Sequence, residues 1–385
     1  MIGGSDSVSE NINENSALRF DPAVFVVGSG YQIIFLTSAM GIGWVEIGGA
    51  RFTDEECGLL MYDTVHKIPV PGAALNSARE YTVVFVEYAD KKPYYPVGVE
   101  KVRKTYSFKP LEEGADRFRI FQFADTHAQT DLPLETYDRC TGGGPGGCDL
   151  LLLNGDINEW SDKISHFDTS FKLAAGAVRG ERPVIYSRGN HDTRGHCAHL
   201  LAGYIPTACR EGRRETFYSF RQGSLWGLVL DCGEDKYDHN IEYGGTISFN
   251  TFRDRETAYL ESLIADAEHE YSAPGVKYRV AFCHLPITER FDHPFDVASD
   301  IYDRWTELLG QMGINLLVSG HMHRAYHIAP RFAPDGEGIY KGKGLADFPT
   351  AVLSCPKVEL EDGSYVYLGG IVEAEGGKVT SRAAM

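Results

Sequence analysis

Several features are missing from this chain of 385 residues, and each absence excludes something. No apolar run approaches the ~18 residues that a membrane-spanning helix needs. The opening segment, MIGGSDSVSENINENS, has neither the basic cluster nor the apolar stretch of a secretory leader. A cytoplasmic setting is therefore expected, or export if a leader has been removed. None of the eight cysteines forms a C-x-x-C pair, so they read as free thiols in a reducing compartment. Cys140 and Cys148, which bracket a glycine-rich loop, are the nearest pair and form a disulfide only in an exported protein. There is no G-x-S-x-G, which argues against a serine hydrolase. The TGGGPGG run at 141–147 lacks the Lys-Ser/Thr of a phosphate-binding loop, and Gly28-Ser29-Gly30 lacks the third glycine of a dinucleotide fingerprint. Basic residues are scarce, with 37 Lys+Arg against 54 Asp+Glu and a net charge of −17. Such a surface repels nucleic-acid backbones and argues against non-specific nucleic-acid binding.

The length suggests two or three domains at roughly 100–200 residues each. Residues 1–19 are polar and read as a disordered arm. From 20 to 112, short β-runs at Val24–Val27, Tyr31–Ser38, Trp44–Ile47, Val65–Val70, Tyr81–Tyr88 and Lys104–Phe108 are broken by Gly and Pro. That pattern predicts a small all-β sandwich of immunoglobulin or fibronectin type. From 115 to 385, nearly continuous apolar runs alternate with helical segments at Asp162–Val178, Glu256–His269 and Ala298–Met312. Runs of that kind fit strands covered on both faces, in an α/β layer structure.

The chemistry lies where these runs stop. Phe118–Phe123 ends in Asp125-Thr126-His127, Leu150–Leu153 in Gly155-Asp156, and Val184–Tyr186 in Gly189-Asn190-His191-Asp192. Tyr278–Phe282 ends in Cys283-His284, and Ile314–Val318 in Gly320-His321-Met322-His323. Ligands of open α/β sheets bind beyond the carboxyl ends of the strands. A set of carboxylates, imidazoles and one amide, with no thiolate, suits Mn, Fe, Zn, Co or Ni. It offers more donors than one ion needs and suits two ions sharing a carboxylate. Two divalent ions leave residual positive charge for a phosphate, even in an acidic protein.

These five ordered blocks, D-x-H, GD, GNHD, H and GHxH, resemble the calcineurin-like metallophosphoesterase family. The resemblance implies a four-layer α/β (α+β) sandwich of two mixed sheets flanked by helices. It implies Asp125, His127 and His323 on one divalent ion, Asn190, His284 and His321 on a second, and Asp156 bridging both. It makes His191 the general acid, oriented and kept protonated by Asp192. The expected reaction is hydrolysis of a small phosphomonoester or phosphodiester by a metal-bridging hydroxide. The alternatives are a protein phosphatase and a non-catalytic scaffold of the same fold that binds a partner. An N-terminal β-module before such a domain is similar to the purple acid phosphatase arrangement. That subgroup, however, has D-x-G in its first block and a tyrosine three residues after the bridging aspartate, where this chain has His127 and Glu159. No tyrosinate chromophore is therefore expected. Glu159 reads either as a partner of the site or as a solvent-facing acid at a helix start. Arg194 is a candidate phosphate contact and Arg324 a weaker one. Neither a membrane nor a nucleic-acid partner is expected, only a small phosphorylated substrate. His166, His196, His199, His293 and His327 fall outside the family pattern and read as structural or surface residues.

Overall fold

The computed structural model describes residues 17–88, 90–289, 299–331, 340–343 and 345–385. Most of the expected arm (residues 1–16) and His293 lie outside the described residues. The strands that carry the architecture are β1 (Ala23–Val27), β2 (Gly30–Ile47), β3 (Asp63–Pro71), β4 (Glu80–Glu87) and β5 (Val99–Ser107), then β6 (Arg117–Phe123), β7 (Leu150–Asn154) and β8 (Pro183–Ser187). They continue with β9 (Tyr218–Gln222), β10 (Leu225–Val229), β11 (Tyr278–Phe282), β12 (Leu316–Ser319), β13 (Arg324–Ala329), β14 (Thr350–Glu359), β15 (Tyr365–Glu375) and β16 (Lys378–Ala384). The helices that flank them are α1 (Asp131–Thr141), α2 (Asp168–Val178), α3 (Phe249–Ala265) and α4 (Ser299–Met312).

The first sheet runs β16–β15–β6–β7–β8–β1–β2–β3, with β6, β7, β8 and β1 parallel. The second runs β9–β10–β11–β12–β14–β13, with β10, β11, β12 and β14 parallel. Successive strand residues point to opposite faces, so an unbroken apolar run feeds two cores at once. Ile120, Leu152, Ile185, Phe282 and Val318 pack between the sheets. Their neighbours Phe121, Leu151, Leu153 and Val184 face outward, onto Tyr137 of α1 and Phe171 and Leu173 of α2. On the other side Ala281 and Leu317 meet Leu260 and Leu263 of α3 and Trp305 and Leu309 of α4. The order helix–sheet–sheet–helix is the expected four-layer sandwich.

The segment from 20 to 112 is rich in strands, as expected, but its hydrogen bonds do not close on themselves. β1 pairs with β8 in parallel, Val24 opposite Pro183 and Phe25 opposite Val184. β2 follows β1 antiparallel, and its pairing with β3 is interrupted between Leu36 and Gly41. The second half of β2 pairs with β4, which pairs with β5. Through β1, which pairs with the edge of β8, these strands are continuous with the first sheet. One core holds Val24, Phe35 and Phe85 together with Ile120, Ile185 and Phe282.

The helix expected over 162–178 begins instead as a 3-10 turn at Ile164–Phe167 before α2. Helix α1 was not anticipated from the sequence. Pro133 sits in its first turn, where no intrahelical N–H is required. Among the described residues no helix is long and apolar enough to cross a membrane.

Phe25 of β1 meets Tyr186 of β8 edge-on, with ring centroids 6.2 Å apart. Truncating Phe25 to Ala is expected to cost about 3–5 kcal/mol. Because that contact crosses the anticipated boundary, denaturant unfolding followed by circular dichroism should show one transition at a lower midpoint. A second, unshifted transition would mean that the N-terminal strands unfold on their own.

Candidate metal centre

The ligand blocks leave their strands through sharp turns. Asp125, His127, Asp156, His321 and His323 all have φ between 45° and 70°, in the left-handed region that costs most residues energy. Backbone bonds lock the first two blocks together: Asp125 N–H donates to the Gly155 carbonyl at 3.0 Å and His127 N–H to that of Asp156 at 3.1 Å. The block glycines leave no room for a side chain. A Cβ on Gly189 would lie 2.3 Å from the backbone nitrogen and Oδ1 of Asp156, and one on Gly320 would lie 2.8 Å from Asp125 Oδ2.

Six donors collect in two groups, Asp125 with His127 and His323, and Asp156 with His284 and His321, each within 4.8 Å. His323 Nε2 is 3.2 Å from Asp125 Oδ1, and His284 Nε2 is 3.1 Å from Asp156 Oδ2. A 3.8 Å approach of His284 Nε2 to Asp125 Oδ1 joins the groups. Asn190 Oδ1 stands 3.1 Å from His321 Nδ1, beside the second group. All seven sequence-predicted ligands are thus brought together at one end of the two sheets.

Three observations fit this set to cations. Asp125 Oδ1 and His284 Nε2 are buried and face other members of the donor set, His323 Nε2 at 3.2 Å and Asp156 Oδ2 at 3.1 Å, an arrangement that is costly unless protons or cations lie among them. His127 Nε2 and His323 Nε2 converge to 3.1 Å, where two lone pairs repel unless a proton or a cation lies between them. His284 Nδ1–H donates to the Asn154 carbonyl at 2.8 Å, which directs Nε2 and its lone pair at the carboxylates. Without a metal, the carboxylates substitute protons. Burial acts to lower the pKa of His284, but Asp156 and Asp125 outweigh it and push the ring up to about 10. Burial, with the charge of His284, drives His321 down to about 4. Burial opposes ionisation of Asp156, yet the facing imidazoles hold it well below the ordinary carboxylate range.

The remaining candidates are placed differently from the sequence reading. His191 N–H donates to Asp156 Oδ1 at 2.8 Å and its Nε2 lies 4.0 Å from Asp156 Oδ2, so the ring stands at the site. Its orientation does not come from Asp192, which is a correction. His191 Nδ1–H donates to the backbone carbonyl of Glu159 at 2.8 Å. Both residues lie in the tight 3-10 turn His191–Thr193, where consecutive side chains diverge by about a third of a turn. The Asp192 carboxylate accepts instead from Gly189 N–H at 3.0 Å, Asn158 N–H at 3.3 Å and Tyr186 O–H at 3.3 Å. Burial, then the charge of Asp156, raises it to about 6. Its role is to shape the loop that carries Asn190. Arg194 is held through two of its nitrogens: Nε and Nη2 donate to Glu234 at 2.8 and 2.7 Å, and Nη2 lies 3.4 Å from Asp235. Glu234, Asp235 and Tyr243 are buried and brace Arg194, while Tyr237, His239, Ile241 and Glu242 of the same polar stretch are exposed. All eight cysteines are free thiols.

A family model for calcineurin-like phosphoesterases matches residues 118–325, more than half of the chain and every ligand block. The chain belongs to the calcineurin-like phosphoesterase family. No curated protein matches it in sequence. Among solved structures it is similar to GAP50, described as the anchor in the inner membrane complex of Plasmodium, at 10% identity and a TM-score of 0.43, covering 70% of this chain and 84% of that one. It is also similar to a dimetal phosphatase from Danio rerio, at 14% identity and a TM-score of 0.41, covering 72% of this chain and 100% of that one.

Two supports of this calcineurin-like centre were not read from sequence. Ser354 Oγ donates to Asp125 Oδ2, which also accepts from His321 N–H at 2.8 Å. Tyr367 grips the backbone before Asp125: its O–H donates to the Ala124 carbonyl at 2.6 Å, while Ala124 N–H donates to its oxygen at 2.8 Å. Both come from the last third of the chain. A polar residue closing the apolar run Ala351–Ser354 was the available signal for the serine; nothing local marks the tyrosine.

Two outcomes are expected. Because Asp156 and Asp125 push the His284 ring up to about 10, metal binding is expected to displace a proton from it. Titration with Mn in two buffers of different protonation enthalpy should show release of about one proton or more per chain, and affinity should rise with pH toward 10. Gly189→Ala pushes a methyl into Asp156 and should sharply reduce the metal content measured by mass spectrometry.

Proposed function

We propose that the protein is a phosphoesterase that uses two divalent ions to hydrolyse a small phosphomonoester or phosphodiester. The observation that carries this reading is the convergence of two three-residue donor groups, joined by the 3.8 Å approach of buried His284 Nε2 to buried Asp125 Oδ1. Asp125, His127 and His323 would hold one ion, and Asn190, His284 and His321 the other. Asp156, whose Oδ2 reaches His284 and approaches His191, would be shared. When bound, such ions supply Lewis-acid stabilisation of phosphoryl oxygens and a water of depressed pKa.

The protein's own groups do the rest. The strand ends hold the donors rigidly, so the site is organised before substrate arrives. Among the described residues, His191 is the one imidazole of the cluster outside the ligand set. With Nδ1–H committed to the Glu159 carbonyl, its Nε2 is the atom that can hold a proton toward a leaving oxygen. Its side chain is 29% exposed, open enough to meet substrate. A general acid of this kind contributes roughly 10²–10⁴-fold.

Hydrolysis of nitrophenyl phosphate and bis-nitrophenyl phosphate with added Mn tests the reading, and an inert wild-type chain with full metal content would defeat it. His191→Ala is expected to keep its metal but lose about 10²-fold or more with alkyl phosphates, and less with nitrophenyl phosphate, whose leaving group needs no proton. Equal losses on both would remove the general-acid role.

A further inference from the structure

In a chain of net charge −17, an anionic substrate gains from any local positive charge that adds to that of the ions. The described arginines of the neighbouring loops are committed. Arg194 is clamped by Glu234 and Asp235, and Arg188 is paired to buried Asp231 at 2.8 Å.

Arg324 differs. It follows the ligand His323 directly and opens β13, which pairs antiparallel with β14 in a register that sets Arg324 opposite Ser354. Directly opposed residues of an antiparallel pair project from the same face, with Cβ atoms about 4.5–5.5 Å apart. The Ser354 hydroxyl bonds Asp125, a ligand of the first group, so Arg324 stands on the same side of the sheet, one strand further out. Its side chain is exposed. Among the described residues its guanidinium meets the Met322 carbonyl, 3.4 Å from Nε, and the Tyr326 ring, 5.8 Å from Cζ, and no carboxylate. These contacts engage Nε and the guanidinium face, and neither uses the terminal NH₂ groups as donors.

From this juxtaposition we infer that Arg324 is a substrate-binding residue, donating to the phosphoryl oxygen that points away from the ions. The inference rests on the phosphoesterase reading and sharpens it. In a diester, one more oxygen is esterified and the group is a monoanion. In a monoester, the outward oxygen carries the second negative charge, which a planar, permanently charged guanidinium binds best. Arg324 therefore biases the site toward phosphomonoesters.

The test compares wild type, Arg324→Ala and Arg324→Lys, each loaded with Mn and checked for metal content. The ratio of kcat/KM for nitrophenyl phosphate to that for bis-nitrophenyl phosphate should fall by roughly 10- to 100-fold in Arg324→Ala, mainly through KM for the monoester. Arg324→Lys should recover part of it. Calorimetric binding of inorganic phosphate should weaken to a similar degree, a readout independent of turnover. An unchanged ratio with unchanged phosphate binding overturns the assignment, and so does loss of metal in Arg324→Ala, which makes the residue a support of the centre. Absence of hydrolysis by wild type defeats the phosphoesterase reading itself, and phosphate binding to the metal-loaded variants still decides the role of Arg324.

Discussion

Two carboxylates, Asp125 and Asp156, are buried within reach of the same imidazole, and that crowding governs the rest of the architecture. Neither oxygen set can be hydrated, and burial alone would neutralise both. They stay ionised because His284, and for Asp125 also His323, face them, which makes the protein dependent on positive charge supplied at that spot. Protons on the rings meet that need in part, and the proposed divalent ions would meet it more fully. The left-handed backbone at the ligands and the glycines pressed against them are what such convergence demands.

The sandwich makes convergence possible without flexible parts. Parallel strands of both sheets end on one side of the molecule, and short turns then carry each ligand inward. β14 and β15 pair at Cys355 and Leu368, which joins the two sheets beside the centre and puts Ser354 and Tyr367 against the Asp125 turn. At the far edge Gly28 bridges to Phe220, so the N-terminal strands also tie one sheet to the other. Both ends of the chain therefore brace a site whose ligands lie between them.

Much of this could be read from sequence for a simple reason. An apolar run buried on both faces is almost featureless, so a polar block at its end stands out, and a glycine inside that block signals a tight turn. Asp125, Asp156, Asn190, His284 and His321 were legible in that way. Asp192 and Arg194 were misread because adjacency along the chain says little about direction: in a 3-10 turn one residue faces the centre while the next faces the core. Helix α1 was missed because its apolar face is short and a proline sits in its first turn.

The local code of this chain was enough to set most of its elements, its layered class and the candidate donors that the fold gathers, because each depends on the periodicity and chemistry of neighbouring residues. Partnership was decided only in three dimensions. Whether β1 closes a small sandwich or extends the sheet beside β8, whether Arg194 meets a phosphate or Glu234, and whether His191 leans on a carboxylate or a carbonyl all turn on which distant segment arrives alongside. A strand pattern specifies which face is apolar but leaves its edge hydrogen bonds open to any partner, and packing of the whole chain makes that choice.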